Sequence, residues 1–199
     1  MEPLALVLTV TGMDGPDDRA RTLAAARAGD RAAFERLMRQ HERLVLATAL
    51  RLLGNLEDAQ DAAQEVFLRL YRNLAKVEAA GNLSGWLYRV TVNVCRDSRR
   101  KWRPVEAMDA MKDAGGVAAA GADPQQELTE AERRRALELS LRRLPEKERA
   151  ALVLRDLEGL STAEVARALG SSEATVRSQI SKARVKVKSF VEQYFRRRS

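Results

Sequence analysis

Apolar residues recur every three or four positions through most of this chain, a spacing that places them on one face of an α-helix. In the N-terminal half this pattern predicts three successive helices. Asp30 is expected to cap the first, which ends at Gly54. The second follows Asn55 and carries Tyr71 on its apolar face, and the third is expected to begin with Ser84 as its cap.

The C-terminal half has the same periodicity, divided by stronger stop signals. Pro145 is expected at the first position of one helix, where its missing N–H costs least. Ser161 and Glu164 predict a capping box for a short helix that ends at Gly170, and one of the two following serines caps a longer helix. This pattern is typical of a helix-turn-helix, although a plain helical hairpin with a basic tail would share it. The sequence therefore predicts an all-α fold.

Composition narrows the function classes. The chain has 199 residues, of which 45% are hydrophobic and 5% aromatic, and it has one cysteine and one histidine. These counts exclude an internal disulfide framework and a multi-cysteine zinc site, and they argue against histidine-based metal or hydrolase chemistry. The short apolar run from Leu4 to Val10 follows Glu2 and makes a poor signal peptide. We expect a cytoplasmic protein with no membrane insertion, no metal and no cofactor.

The net charge of +7 is unevenly distributed along the chain. Residues 17–103 and 127–199 each carry an excess of bases, whereas residues 104–126 are acidic, rich in glycine and alanine, and without apolar periodicity. The sequence predicts two small helical domains joined by a flexible linker. The predicted segments are an N-terminal extension without order (1–19), a first helical domain (20–103), the acidic linker (104–126) and a second domain with the helix-turn-helix (127–199).

Three acids interrupt the basic character of the first domain. Asp58, Asp61 and Glu65 lie at helical spacing on the polar face of the second helix, and residues 55–68 contain no base. The helix dipole favours acids near the N-terminus, which explains Asp58 and Asp61 but not Glu65. The alternative is that this face docks on another protein.

Two helices carry residues suited to nucleic acid. On the third helix, one face combines an aromatic side chain, an amide and cations: Trp86, Arg89, Asn93, Arg96 and Arg100. Such a face can stack on unpaired bases and neutralise phosphates, although a merely solvated basic face would look similar. On the last helix, the expected major-groove residues are Arg177, Ser178, Ser181 and Lys182.

Three motifs occur in a set order: DAQDAAQEVFL (58–68), GWLYRV (85–90), and a segment running from Leu160-Ser161 through TVRS (175–178) to KAR (182–184). Together they resemble the extracytoplasmic-function (ECF) branch of bacterial sigma factors, over about residues 20–103 and 127–192. The resemblance implies a sigma factor that binds core RNA polymerase, recognises promoter DNA and can be held by an anti-sigma factor. Polymerase docking is implied for Asp58, Asp61 and Glu65. Recognition of the −10 element is implied for Asn82, Ser84, Trp86, Arg89, Asn93, Arg96 and Arg100. Recognition of the −35 element is implied for Arg177, Ser178, Gln179, Ser181 and Lys182.

The chain departs from the family pattern at a few positions. Gln179 and Ser181 replace basic or bulkier residues, so the −35 preference does not carry over, and Gln60 stands where an acid is common. Met13 is one possible start of the protein, and a small regulatory extension over Leu4–Val10 is the alternative.

Two other classes of function account for less of the sequence. An independent helix-turn-helix regulator would use the second domain but leaves the acidic face and the Trp86 helix unexplained. An enzyme finds no nucleophile–base pair, phosphate loop or metal cluster in the sequence, so none is expected.

Overall fold

The computed structural model describes residues 16–77, 83–102 and 124–197, and every regular element in these ranges is helical. In chain order the elements are α1 (Pro16–Arg27), α2 (Arg31–Leu53), α3 (Leu56–Asn73), a 3-10 turn (Leu74–Lys76), α4 (Leu83–Trp102), α5 (Pro124–Arg143), α6 (Glu146–Leu152), a π-helical turn (Val153–Leu157), α7 (Thr162–Leu169) and α8 (Glu173–Arg196). The predicted all-α class is confirmed.

We call α1–α4 the N-terminal region and α5–α8 the C-terminal region. Helix α1 begins at Pro16, inside the predicted extension (1–19), and α5 begins at Pro124, inside the predicted linker (104–126). Residues 1–15 and 103–123 lie outside the described residues, so their flexibility stays a prediction.

Local capping explains where α2 and α3 begin. The Asp30 side chain accepts a hydrogen bond from the Ala33 N–H at 3.1 Å, and Asn55 accepts one from the Asp58 N–H at 2.7 Å. Gly54 ends α2 with a φ of +85°, a left-handed conformation that glycine adopts without strain. The expectation that Ser84 caps α4 was wrong, because α4 already includes Leu83 and Ser84 lies inside its first turn.

The helix-turn-helix of the C-terminal region is built from the predicted signals. Ser161 and Glu164 form the reciprocal capping box, and the two hydrogen bonds from Ser161 lower the pKa of the Glu164 carboxyl. Gly170 turns the chain at a φ of +60°, and Ser172 caps α8 by accepting from the Thr175 N–H. Pro145 differs slightly from the prediction, because it occupies the N-cap of α6 rather than its first position.

The two regions share one continuous apolar core. In the N-terminal region, the fully buried large side chains are those of Leu37, Val45, Val66, Leu70 and Leu87. In the C-terminal region they are those of Val153, Leu154, Val165 and Val176. Helix α4 packs against α2 and α3 on one side and against α7 on another, so it lies between the two regions.

The one cysteine of the chain lies in this core, and we expect it to be chemically inert. Cys95 is 3% exposed, and burial raises the pKa of its thiol to about 12. Because the thiolate is the reactive form, the buried thiol is much less reactive than that of a free cysteine. Ellman's reagent should therefore not label the native chain, whereas the chain unfolded in urea should react at once. Rapid labelling without denaturant would contradict the buried position.

Candidate protein- and DNA-binding faces

The predicted acidic residues share one outward side of α3. The opposite side of this helix packs into the core through Ala59, Ala62, Val66 and Leu70, so the acids are held on a rigid element. Asp61 is exposed, whereas Asp58 and Glu65 are half-buried. All three line a shallow cleft between α3 and α4, to which α4 contributes Asp97 and Ser98. Four carboxylates therefore face one cleft.

Two of the three predicted acids have partners that the sequence pattern did not suggest. Glu65 accepts a hydrogen bond from Arg69 Nε at 2.8 Å, and Arg69 Nη2 also lies 3.8 Å from an Asp97 oxygen. Asp58 accepts from the side-chain amide of Asn55. Among the described residues, none forms an ion pair or hydrogen bond with the Asp61 carboxylate. Asp61 is thus the acid with the most freedom to meet an external partner.

Apolar side chains extend this acidic face. Leu68 is 49% exposed and Tyr71 is 64% exposed, and the Tyr71 ring contacts Phe34 edge-on at a centroid distance of 5.2 Å. The sequence pattern placed Tyr71 on the buried side, which was wrong, because Tyr71 lies at the edge of the buried stripe, which continues through Leu70 and Leu74. Leu68 lies seven residues after Asp61, on the same side of the helix. A mixed acidic and apolar surface is more typical of a protein interface than of a solvated face.

The predicted −10 residues divide between the exposed and half-buried sides of α4. Leu87, Thr91 and Val94 anchor the helix in the core. Arg89 is exposed, and the half-buried residues are Ser84, Trp86, Asn93 and Arg96. Trp86 rests partly against the core, so only part of its ring is open. Arg100 lies in α4 but its side chain is outside the described set, as is the whole of Asn82.

One of these residues is already engaged by the C-terminal region. Arg96 Nε donates to Glu146 Oε1 of α6 at 2.8 Å, with both side chains partly exposed. In this arrangement the Arg96 guanidinium is not free to neutralise a phosphate.

The predicted −35 residues lie at the N-terminal end of α8, after the glycine turn. Val176, Ile180 and Ala183 are buried and fix the rotation of the helix. That rotation exposes Arg177, Ser178, Ser181 and Lys182. Gln179 differs from them, because it is half-buried and its Oε1 has no hydrogen-bond partner within the described chain. An outward role for Gln179 therefore requires its side chain to move.

Several bases of α8 are paired within the C-terminal region. Arg184 makes a two-pronged contact with Asp156, at 2.9 and 2.7 Å, and this contact raises the pKa of the Arg184 guanidinium. Lys186 pairs with Glu148 at 2.8 Å. Among the described residues, Arg177 has only the exposed Glu173, four residues earlier, as its partner at 3.2 Å. A weak exposed pair of this kind yields readily to a phosphate or a base edge.

The two regions also meet through polar groups that sequence reasoning did not identify. Arg149 of α6 is 2% exposed and donates to the Leu52 carbonyl at 2.7 Å, at the C-terminal end of α2. It also donates to the carbonyls of Arg142 at 2.7 Å and Leu144 at 3.0 Å, near the end of α5. Burial lowers the pKa of Arg149 to about 10, so the guanidinium remains charged at neutral pH. Its positive charge therefore lies where two helix dipoles end.

Taken together, the described residues define a class of protein: a two-region helical protein with a helix-turn-helix, a fold typical of DNA-binding proteins, and with an acidic and apolar face on α3. Among the described helices, none is long and apolar enough to cross a membrane.

Comparison with known proteins gives the family. The Sigma-70 region 2 family matches residues 37–104, and the Sigma-70 region 4 family matches residues 134–187. The chain is 34% identical over 181 residues to the ECF RNA polymerase sigma factor SigE of Mycolicibacterium smegmatis, covering 89% of this chain and 70% of that protein. It is 35% identical over 178 residues to the ECF RNA polymerase sigma factor SigM of Mycobacterium tuberculosis, covering 88% and 87%.

A solved structure agrees with this relationship. The structure of CnrH in complex with the cytosolic domain of CnrY is similar with a TM-score of 0.63 and 25% identity, covering 88% of this chain and 97% of CnrH. The chain belongs to the ECF RNA polymerase sigma factors, and it is an alternative sigma factor that acts in transcription initiation. An independent helix-turn-helix regulator is not favoured, because region 2 accounts for the N-terminal region as well.

Proposed function

We propose that this sigma factor docks on core RNA polymerase through its acidic α3 face, holds the −10 element with α4 and reads the −35 element with α8. The observation that carries the proposal is the exposed, unpaired Asp61 on an acid-lined cleft, in a chain whose net charge is +7. A protein that only bound DNA would have no use for this surface, because acids repel phosphates.

The docking assignment names Asp58, Asp61 and Glu65, and it adds Leu68 and Tyr71 as apolar contacts. Interfaces combine an apolar centre with a polar rim, and Tyr71 is a residue type enriched in such centres. The partner surface on the polymerase, its clamp helices, would then be basic and partly apolar.

The −10 assignment rests on the chemistry of α4. Arg89 can neutralise phosphates, and Arg96 can do so once it separates from Glu146. Asn93 can bond a base edge, and Trp86 can stack on an unpaired base. Asn82, Ser84 and Arg100 belong to the same proposal through the family resemblance. Since stacking needs unpaired bases, this face suits the opened strand better than the duplex.

The −35 assignment rests on the exposed start of α8. Residues at the N-terminal end of a recognition helix reach base edges in the major groove, and arginine pairs well with guanine there. Arg177, Ser178, Ser181 and Lys182 are proposed to contact DNA directly. Gln179 is included by resemblance alone, and it would have to leave its half-buried position.

The proposal includes an anti-sigma factor as a partner. Support comes from CnrH, a relative solved with the cytosolic domain of CnrY. In this proposal the chain acts in the cytoplasm with the polymerase and catalyses no step of its own.

Reconstitution with purified core RNA polymerase tests the proposal. Run-off transcription on fragmented genomic DNA, followed by sequencing of the starts, should show initiation that requires the added chain. The starts should share two upstream elements about two helical turns apart. If the chain neither binds core polymerase nor directs initiation, the proposed function is wrong.

Replacement of Arg177 by alanine tests base reading at the −35 element. We expect transcription from −35-dependent promoters to fall by about fivefold to a hundredfold, since one base contact contributes ~1–3 kcal/mol. Lys188→Ala is a matched control, because Lys188 is an exposed base three turns further along α8. An equal loss on promoters with scrambled −35 elements would show that Arg177 contacts phosphate instead.

A further inference from the structure

One carboxylate joins the two regions. Glu158, which follows the π-helical turn, has a side chain that is only 9% exposed. Its Oε1 accepts from the Arg51 guanidinium of α2, and its Oε2 accepts from the Tyr88 hydroxyl of α4 at 3.2 Å. We call this contact of Arg51, Tyr88 and Glu158 the latch. It ties one residue of the C-terminal region to two helices of the N-terminal region.

The surroundings of the latch favour its formation. Tyr88 is 8% exposed, and burial together with the Glu158 charge raises the pKa of its phenol, so the hydroxyl keeps its proton for donation. Charge-assisted hydrogen bonds are stronger than neutral ones, and they gain further when solvent is excluded. Nearby, Arg142 of α5 also donates to the Gly54 carbonyl that ends α2.

The arrangement that the latch holds affects the proposed DNA faces unequally. Helix α7 packs against α4, and Glu146 of α6 accepts a hydrogen bond from the Arg96 guanidinium. By contrast, the start of α8 remains open, with Arg177 and Lys182 exposed. The −10 face is therefore partly covered by the C-terminal region while the −35 face is free.

The distance between α4 and α8 also shows that the two DNA faces cannot act together in this arrangement. Packed helices lie about 8–10 Å apart, and α7 packs on both α4 and α8, so α4 and α8 are at most roughly 20 Å apart where they contact α7. Two recognition sites two turns apart on DNA are separated by about 70 Å. One chain in this arrangement cannot occupy both sites at once, so the regions must separate before promoter binding.

We propose that the latch holds the free chain in a closed, autoinhibited state, which must open before α4 and α8 engage a promoter together. The DNA consequence rests on the proposed function of α4, whereas closure itself does not. If the closed state dominates, the apparent affinity of the α4 face for DNA equals its intrinsic affinity multiplied by the small fraction of chains that are open.

Fluorescence energy transfer in the full chain measures closure without DNA. Dyes are attached through Arg36→Cys on α2 and Glu192→Cys on α8, both exposed positions, while the buried Cys95 stays unlabelled. Glu158→Arg should lower the transfer efficiency, because it places a cation against Arg51. Arg51→Glu, at a side chain that is 37% exposed, should do the same with less risk to folding.

A charge swap and a matched control make the test specific. The double variant Arg51→Glu with Glu158→Arg restores an ion pair and should recover transfer. Glu148→Arg removes a comparably shielded acid that pairs with Lys186 inside the C-terminal region, and it should leave transfer unchanged. Circular dichroism on each variant checks that the helices are retained.

A labelled, random-sequence single-stranded 20-mer reports on the α4 face. Loss of the latch should tighten its binding by about tenfold, since hydrogen bonds to charged groups commonly shift an equilibrium by this factor. Duplex DNA of the same sequence should bind equally to all variants, because the α8 face is open in both states. If transfer falls but the single strand binds to no variant, closure holds and the −10 assignment fails. If folded Glu158→Arg and Arg51→Glu both keep wild-type transfer, or if the charge swap stays as open as the single variants, the latch is overturned.

Discussion

Replacing Asp61 with arginine is expected to weaken binding to core RNA polymerase by about tenfold to a hundredfold while leaving the fold intact. The substitution removes one attraction and introduces a repulsion against a basic partner surface, which together cost ~2 kcal/mol. Because Asp61 is exposed and unpaired within the described chain, the free energy of unfolding should change by no more than about 0.5 kcal/mol. Competition against labelled wild-type chain for a fixed amount of core polymerase measures the effect directly.

Glu35→Arg provides the matched control for that experiment. Glu35 is also an exposed acid of the N-terminal region, but it lies on α2 rather than α3. It pairs there with Arg31 at 3.4 Å. The same change in net charge at Glu35 should alter core binding little. Equal losses for both variants would mean that overall charge, not the α3 face, governs the affinity, and the docking assignment would then be wrong.

The acidic face of α3 was predicted from the sequence only in part. Helical spacing alone brought Asp58, Asp61 and Glu65 to one side of α3, because the positions i, i+3 and i+7 coincide on any helix. The base-free stretch ended one residue before Arg69, so the ion pair of Glu65 with Arg69 was missed. The exposure of Tyr71 was also missed, because Tyr71 lies at the edge of the stripe formed by Leu70 and Leu74, where a periodic pattern does not separate buried from exposed positions.

The helix-turn-helix was the most predictable part of the molecule. Its signals are local: a capping box at Ser161, a left-handed glycine at Gly170 and a serine cap before α8. Each of these acts through backbone groups within a few residues, so the sequence pattern is sufficient to locate it. The inward position of Gln179 was not predictable in the same way, because it depends on how α8 packs against the rest of the region.

Contacts between the two regions could not be predicted from the sequence. Arg149 and Leu52 are 97 residues apart, and Arg51 and Glu158 are separated by 107 residues. Nothing in the periodicity of either segment marks these residues as partners, and the sequence pattern predicted only two helical domains joined by a flexible linker. The packing of α2 against α5 and the π-helical turn, together with that of α4 against α7, brings the polar groups together. Long-range polar contacts of this kind carry the regulatory hypothesis, whereas local signals carry the fold.

Substitution of Arg149 by methionine is expected to give the largest loss of stability among single changes at polar positions described above. Methionine fills the space of the side-chain stem but donates nothing to the carbonyls of Leu52, Arg142 and Leu144. These acceptors would be left buried without donors, which costs about 3 kcal/mol in total. For a chain of this size, thermal unfolding followed by circular dichroism should show a midpoint about 6–12 °C lower.

Arg155→Met separates this effect from the general loss of an arginine. Arg155 is half-buried in the neighbouring turn and, within the described residues, donates a single hydrogen bond, to the Leu160 carbonyl at 2.8 Å. Its removal should therefore cost only about 1 kcal/mol. Arg149→Lys should recover part of the loss, since one ammonium group cannot reach all of the carbonyls that the planar guanidinium spans. A midpoint for Arg149→Met no lower than that for Arg155→Met would show that water replaces the lost donors. In that case the hydrogen bonds of the Arg149 guanidinium would not be required to satisfy the carbonyls at the C-terminal ends of α2 and α5.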